Sequence, residues 1–171
     1  ISEIQYSMLR IKKTLIIIGG DHCTALPERT LEECCSIDAV VRGEGELAFS
    51  QIVSRLVIGE CNLYKLFYSI PNVTFRDHNG TIINNENSHN YIDLDELPFP
   101  DFSLSNIQKY ALIKNPSSNK KQHRFPVFYG RGCPYNCTYC FSPGHFRMRN
   151  PASVVDEIES LNRKWKAEFF V

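Results

Sequence analysis

The stretch that decides the fold is Gly19–Glu46, "GGDHCTALPERTLEECCSIDAVVRGEGE". Before it runs "TLIII", Thr14–Ile18, continuously apolar and without alternation, the pattern of a short parallel strand covered on both faces. The strand stops at Gly19-Gly20. "LPERTLEECC" then reads as a short helix, with Pro27 suited to its first turn and Glu28 near the positive amino end. "IDAVV" reads as a second buried strand, which ends in turn at a glycine loop, "RGEGE". From Glu46 to Val57, Leu47, Phe49, Ile52, Val53, Leu56 and Val57 fall mostly on one helical face. Strand, glycine loop and helix, twice over, is the grammar of a doubly wound α/β sheet, and its carboxy-terminal part is expected here.

Downstream the pattern changes. "NVTFRDHNGTIINN", Asn72–Asn85, sets two β-rich runs about Asn79-Gly80, whose tolerance of positive φ predicts a hairpin. The connector "DLDELPFPDFSLSN" holds Pro98 and Pro100, which disfavour helix. "KNPSSNKKQHR", Lys114–Arg124, is polar and punctuated and reads as an exposed loop. Order resumes with "RFPVFYG" as a strand. In "NPASVVDEIESLNRKW", Asn150 is placed to cap a helix and Pro151 suits its first turn. Val154, Val155, Ile158, Leu161 and Trp165 form its apolar stripe, leaving Asp156, Glu157 and Glu159 on the water-facing side. "AEFFV" begins another strand. The tail is therefore predicted as one βαβ unit, with "FYGRGCPYNCTYCFSP", Phe128–Pro143, on its strand-to-helix loop. The expected organisation is a doubly wound part over 1–70, a hairpin and connector over 71–124, and the βαβ unit over 125–171.

Composition narrows the class. Of 171 residues, 43% are hydrophobic and 22% charged, the balance of a globular protein. Lys+Arg and Asp+Glu are both 19, so no net field favours nucleic acid or an acidic membrane. No stretch approaches the roughly 20 apolar residues of a membrane span. The first residue is Ile1 and the last, Val171, stands in an apolar run, so a piece of a longer protein is expected. Seven cysteines, odd in number and irregular in spacing, fit a reducing cytoplasm better than a secreted disulfide framework.

Three of them carry the chemistry. Cys133, Cys137 and Cys140 lie within eight residues, and no cysteine follows. Thiolates at fixed short spacing are soft metal ligands. A closed zinc site needs a fourth donor, which His145 could supply. An iron–sulfur cube held by three thiolates instead leaves one iron open to a small molecule. The other chemistry-bearing residues have plainer explanations. Cys23, Cys34, Cys35 and Cys61 read as small buried or semi-buried side chains. Arg131, Arg147 and Arg149 flank the cysteines and could hold an anionic cofactor group or substrate, with solvated surface the plainer reading. No nucleophile or base accompanies the carboxylates Glu32-Glu33 and Glu44/Glu46.

The spacing C-x3-C-x2-C, with Tyr139 directly before the last cysteine, resembles the signature of the radical S-adenosylmethionine enzymes. The resemblance implies that Cys133, Cys137 and Cys140 hold a [4Fe–4S] cluster and that Tyr139 lies by the adenine of S-adenosylmethionine. It further implies that the open iron binds the amino and carboxylate groups of S-adenosylmethionine, whose reductive cleavage gives methionine and a 5′-deoxyadenosyl radical. The amino-terminal half resembles the cobalamin-binding domain of one large subgroup through Gly19, Gly20, His22, Leu26, Pro27, Glu28, Asp38, Val40, Val41, Arg42, Gly43, Glu44, Gly45 and Glu46. That likeness implies cobalamin, with Gly19, Gly20, His22, Gly43, Glu44 and Gly45 at its nucleotide tail, and a barrel that begins with the βαβ unit. The implied activity is methyl transfer to an unactivated carbon, or a related radical rearrangement or ring closure, on a small-molecule substrate. An electron donor such as flavodoxin or ferredoxin is implied, and this segment alone is expected to be inactive. Two other readings stand beside it. A methylthiotransferase would carry a further three-cysteine cluster, which the Cys23/Cys34/Cys35 spacing does not resemble. A zinc-stabilised nucleic-acid or protein-binding module would favour a basic, aromatic stripe that is absent.

Overall fold

Ala39, Val40 and Val41 form strand β2, and the alternation of its side chains organises the first half of the chain. Ala39 and Val41 join one core cluster, while Val40 joins another on the opposite side of the sheet. β1 (Ile17–Ile18) runs parallel to β2, with Ile17 opposite Ala39 and Ile18 opposite Val40. The computed structural model describes residues 14–88, 90–107, 111–114, 121–141 and 145–171. It divides the chain into two units, Ile1–Tyr91 and Ile92–Val171.

In the first unit, helices cover both faces. α1 (Asp21–Ala25) and α2 (Pro27–Glu33) bring Cys23 and Leu31 to Val40 and Ile37. α3 (Glu46–Val57) and α4 (Leu63–Phe67) bring Ala48, Ile52, Leu66 and Phe67 to the other face. The expected apolar face of α3 is corrected here. Ala48 and Ile52, four residues apart on one line of the helix, are its buried residues, whereas Leu47, Phe49, Val53, Leu56 and Val57 are exposed. The predicted hairpin forms as β3 (Val73–Arg76) and β4 (Ile82–Asn84). Gly80 takes φ 83°, and Asp77 Oδ1 accepts from Asn79 N at 2.9 Å and Thr81 N at 2.8 Å to shape the turn. β3 pairs antiparallel with β2, so the sheet runs β1-β2-β3-β4.

The second unit is the expected βαβ, with its first strand placed earlier than predicted. β6 (Lys121–Phe125) pairs antiparallel with β5 (Leu112–Lys114) and parallel with β9 (Phe169–Phe170). "RFPVFYG" had suggested a strand from Arg124 onward. Pro126, which has no N–H, ends the regular strand at Phe125, although Val127 N still reaches Val171 O at 2.9 Å. The polar stretch expected as a loop is likewise corrected at its ends, since Lys114 and Lys121–Arg124 lie in β5 and β6; residues 115–120 fall outside the described residues.

α5 (Pro151–Trp165) crosses between β6 and β9, as the cap signals predicted. Asn150 Oδ1 accepts from Ala152 N at 2.9 Å, Pro151 takes the first turn, and Lys166 closes the helix at φ 56°. Leu161 packs with Ala111, Phe125 and Ala167. Val155, expected in the stripe, is exposed. No helix among the described residues is long and apolar enough to cross a membrane.

Candidate functional site

Two groups of residues carry the predicted site, one in each unit. In the first unit, the glycine loops follow the parallel strands β1 and β2, so they emerge side by side at the carboxyl ends of the sheet. Gly20 (φ 101°) and Gly43 (φ 67°) adopt a backbone conformation that side chains disfavour. An added Cβ at either would meet nothing within 4 Å, so conformation rather than crowding calls for glycine there. Gly19 passes close to β2, where a Cβ would sit 3.2 Å from Val41 O. His22 lies exposed in α1, Glu44 is half-buried, and Gly45 precedes α3 as its cap.

A residue that sequence reasoning missed joins the two loops. Thr24 Oγ1 donates to Gly20 O at 2.8 Å and accepts from Gly43 N at 2.9 Å. A threonine one turn beyond the first glycine loop is the available signal, but nothing in the sequence says that it reaches the second. Beneath it, Asp38 Oδ2 accepts from Ile16 N at 2.8 Å and ties β1 to the start of β2. Burial pushes the Asp38 carboxyl up from its ordinary range, against the opposing pull of that hydrogen bond.

In the second unit, the cysteines sit on a loop whose ends are drawn together. β7 (Gly130–Arg131) and β8 (Arg147–Met148) pair antiparallel, with Gly130 opposite Met148 and Arg131 opposite Arg147. Gly132 follows at φ 78°. A Cβ there would stand 2.4 Å from His145 O and 2.9 Å from Phe146 N, so the opposite arm packs directly against this glycine. Beyond the base, Cys133, Cys137 and Cys140 are exposed and unbridged, and Tyr139 is 90% exposed. Cys140 N donates to Cys137 O at 3.1 Å, turning the chain between the last two thiols.

Among the described residues, no three His, Cys, Asp or Glu side chains converge as a metal site, so His145 is not gathered with two of the thiols. The donor set nevertheless fits a three-thiolate cluster. Three soft, accessible sulfurs lie on one loop closed at its base. Gathering them is then part of binding, as when metal sites form with their ligand.

Two residues beside this loop overturn their sequence assignments. Arg149, expected on solvated surface, is 11% exposed and pairs with Glu157, expected on the water-facing side but 2% exposed. Glu157 lies three residues after Val154 and four before Leu161, so it occupies a position on the inward stripe. The inward position of Glu157 is the signal the sequence holds; that Arg149 meets it there shows only in the fold.

A doubly wound unit with glycine loops is thus followed in one chain by a βαβ unit that bears C-x3-C-x2-C on its strand-to-helix loop. No family model matches the chain. It is 31% identical over 169 residues to an uncharacterized methyltransferase of Pyrococcus horikoshii, covering 94% of this chain and 34% of that protein. It is 30% identical over 158 residues to the anaerobic magnesium-protoporphyrin IX monomethyl ester cyclase of Rubrivivax gelatinosus, covering 91% of this chain and 27% of that one. The chain thus spans about a third of the length of the first of these curated relatives and about a quarter of the second. In fold it matches OxsB, a cobalamin-dependent S-adenosylmethionine radical enzyme solved with aqua-cobalamin and S-adenosylmethionine bound. The TM-score is 0.67 at 18% identity, over 96% of this chain and 21% of that one. Its homologues include, alongside that cyclase, the cobalamin-dependent radical S-adenosylmethionine methyltransferase TokK of Streptomyces tokunonensis, 23% identical over 168 residues and covering 95% of this chain and 23% of that one.

Proposed function

We propose that this chain is the segment of a cobalamin-dependent radical S-adenosylmethionine enzyme that carries the cluster loop and the carboxy-terminal part of the cobalamin-binding domain. The whole protein would transfer a methyl group to an unactivated carbon of a small-molecule substrate, or close a ring on it. The observation that carries this reading is the C-x3-C-x2-C thiol set, exposed on the strand-to-helix loop of a parallel βαβ unit. The methyltransferase and cyclase relatives support the reaction class.

In this reading Cys133, Cys137 and Cys140 are the three protein ligands of a [4Fe–4S] cluster, and Tyr139 stands beside the adenine of S-adenosylmethionine. Gly19, Gly20, His22, Gly43, Glu44 and Gly45 border the nucleotide tail of cobalamin, where side-chain-free backbone at Gly20 and Gly43 leaves room for close approach. Thr24 holds these two loops at a fixed separation. When bound, the cluster would supply the single electron that splits S-adenosylmethionine into methionine and a 5′-deoxyadenosyl radical. A flavodoxin- or ferredoxin-type donor would deliver that electron, in a reducing cytoplasm that keeps the thiols available.

Anaerobic reconstitution tests the reading directly. The chain should take up about four irons and four sulfides, and changing any one of Cys133, Cys137 or Cys140 to Ala should abolish that uptake. One bound zinc, with no visible-range absorption, would overturn it.

A further inference from the structure

The cysteine loop leaves the fold after Gly130–Arg131 and returns at Arg147–Met148, and two paired positions on each arm form its base. So short a ladder holds a long loop weakly unless something else fixes the two arms. Arg149, the first residue after β8, does so from several sides. Its backbone N donates to Tyr129 O at 2.8 Å, and its Nη1 donates to Phe128 O at 3.0 Å, both on the arm that enters the loop. Nη1 also donates to Glu157 on α5, while Nη2 donates to Ser153 O at 3.2 Å and Ser153 Oγ at 3.1 Å. The guanidinium lies 5.5 Å from the centre of the Phe99 ring in the connector. One side chain therefore joins the entering arm, the returning arm, the helix and the connector.

An apolar pair could fill this space with no charge to desolvate, so a buried ion pair is weak evidence for stability and better suited to fixing one arrangement. The planar fork of Arg explains how several directions are held at once, which the point charge of Lys cannot do. Building on the cluster-loop reading above, we propose that Arg149 and Glu157 are positioning residues for the cysteine loop. They fix the spacing of its arms so that Cys133, Cys137 and Cys140 can close on one metal centre.

Two readouts on the chain test this. Cobalt(II) alone is titrated through its thiolate charge-transfer absorption, and iron release to a chelator is timed after anaerobic reconstitution. The key variant is Arg149→Met with Glu157→Leu, which removes both charges together and leaves neither buried alone. Cobalt(II) affinity should fall about tenfold or more and iron release should quicken by a similar factor, the range seen when outer partners of metal ligands are lost. Circular dichroism should stay that of the parent. Arg149→Lys, which keeps a charge for Glu157 but loses the fork, should fall between the two. Arg29→Met with Glu33→Leu, at the exposed pair on α2, should match the parent and controls for loss of an ion pair as such.

Parent-like cobalt(II) affinity in the folded double variant overturns the proposal. Should that variant fail to fold, parent-like affinity in Arg149→Lys overturns it instead. If the parent binds cobalt(II) but assembles no iron–sulfur cluster, the functional reading falls, and the positioning role is still decided by the cobalt(II) affinities.

Discussion

Gly132→Ala puts the geometry of the cysteine loop to its hardest test. Gly132 holds φ 78°, where an L-residue is strained by about 1–2 kcal/mol. The new Cβ would also lie 2.4 Å from His145 O and 2.6 Å from His145 C, both backbone atoms that no rotamer change can move aside. An ordinary C···O contact is about 3.3 Å, so the arms must part by nearly 1 Å. Overpacking of this kind costs about 1–3 kcal/mol. Together the penalties exceed what two paired positions can resist, so the base should open locally while the cores around Phe125 and Leu161 stay intact. At about 2 kcal/mol, amide exchange in β7 and β8 should quicken by about 30-fold with little change in thermal midpoint. Gly20→Ala is the comparison, because its φ is 101° but no atom lies within 4 Å of the added Cβ. It should show the conformational penalty alone and leave exchange in β7 and β8 unchanged. Hydrogen exchange by mass spectrometry reads both variants, and iron content after reconstitution reads the consequence. Parent-like exchange in β7 and β8 of Gly132→Ala would refute the reasoning.

Three further outcomes follow from the first unit. Because burial raises the Asp38 carboxyl above its unfolded value, its effect on stability is most favourable in acid and is lost as pH rises through the raised folded value. Asp38→Asn keeps an acceptor for Ile16 N, so urea titrations should show the variant gaining on the parent as pH climbs from about 4; a pH-independent difference would contradict this. Ile52→Ala, at a fully buried site, should cost about 2–5 kcal/mol. Val57→Ala on the exposed side of the same helix should stay within about 0.5 kcal/mol, and equal losses by chemical denaturation would contradict the assigned faces. Arg55 Nη1 donates to the carbonyls of Lys65 at 2.8 Å, Leu66 at 3.2 Å and Tyr68 at 2.8 Å, satisfying the end of α4. Arg55→Met should therefore lower stability by about 1–2 kcal/mol, read as a lower urea midpoint, and an unchanged midpoint would count against the capping role.

What the sequence made legible was set by local chemistry. α5 was readable because Asn150, Pro151 and the spacing of Val154, Ile158 and Leu161 act within one helix. Likewise, β1 and β2 announced themselves through apolar runs stopped by glycine, and the place of the three cysteines on a strand-to-helix loop through the elements that flank them. The start of β6 was missed because Gln122 and His123 are held in the sheet by backbone pairing to β5, which side-chain polarity does not report. α3 misled because its apolar surplus exceeds the line that Ala48 and Ile52 present to the sheet. Thr24 and the Arg149–Glu157 pair escaped for a related reason. Each is defined by a contact between segments that meet only after folding, and the residue type alone does not distinguish a solvated arginine from a buried one.

The hydroxyl of Thr24 has one proton to give and one direction from which Gly43 N reaches it. A group that wedges apart the turns after β1 and β2 must break the Gly43 N bond, whereas the bond to Gly20 O, four residues back on the same turn, travels with Thr24 and survives. The two turns are therefore moored by a single amide-to-hydroxyl contact, and whatever occupies the space between them competes with Gly43 N for that one oxygen.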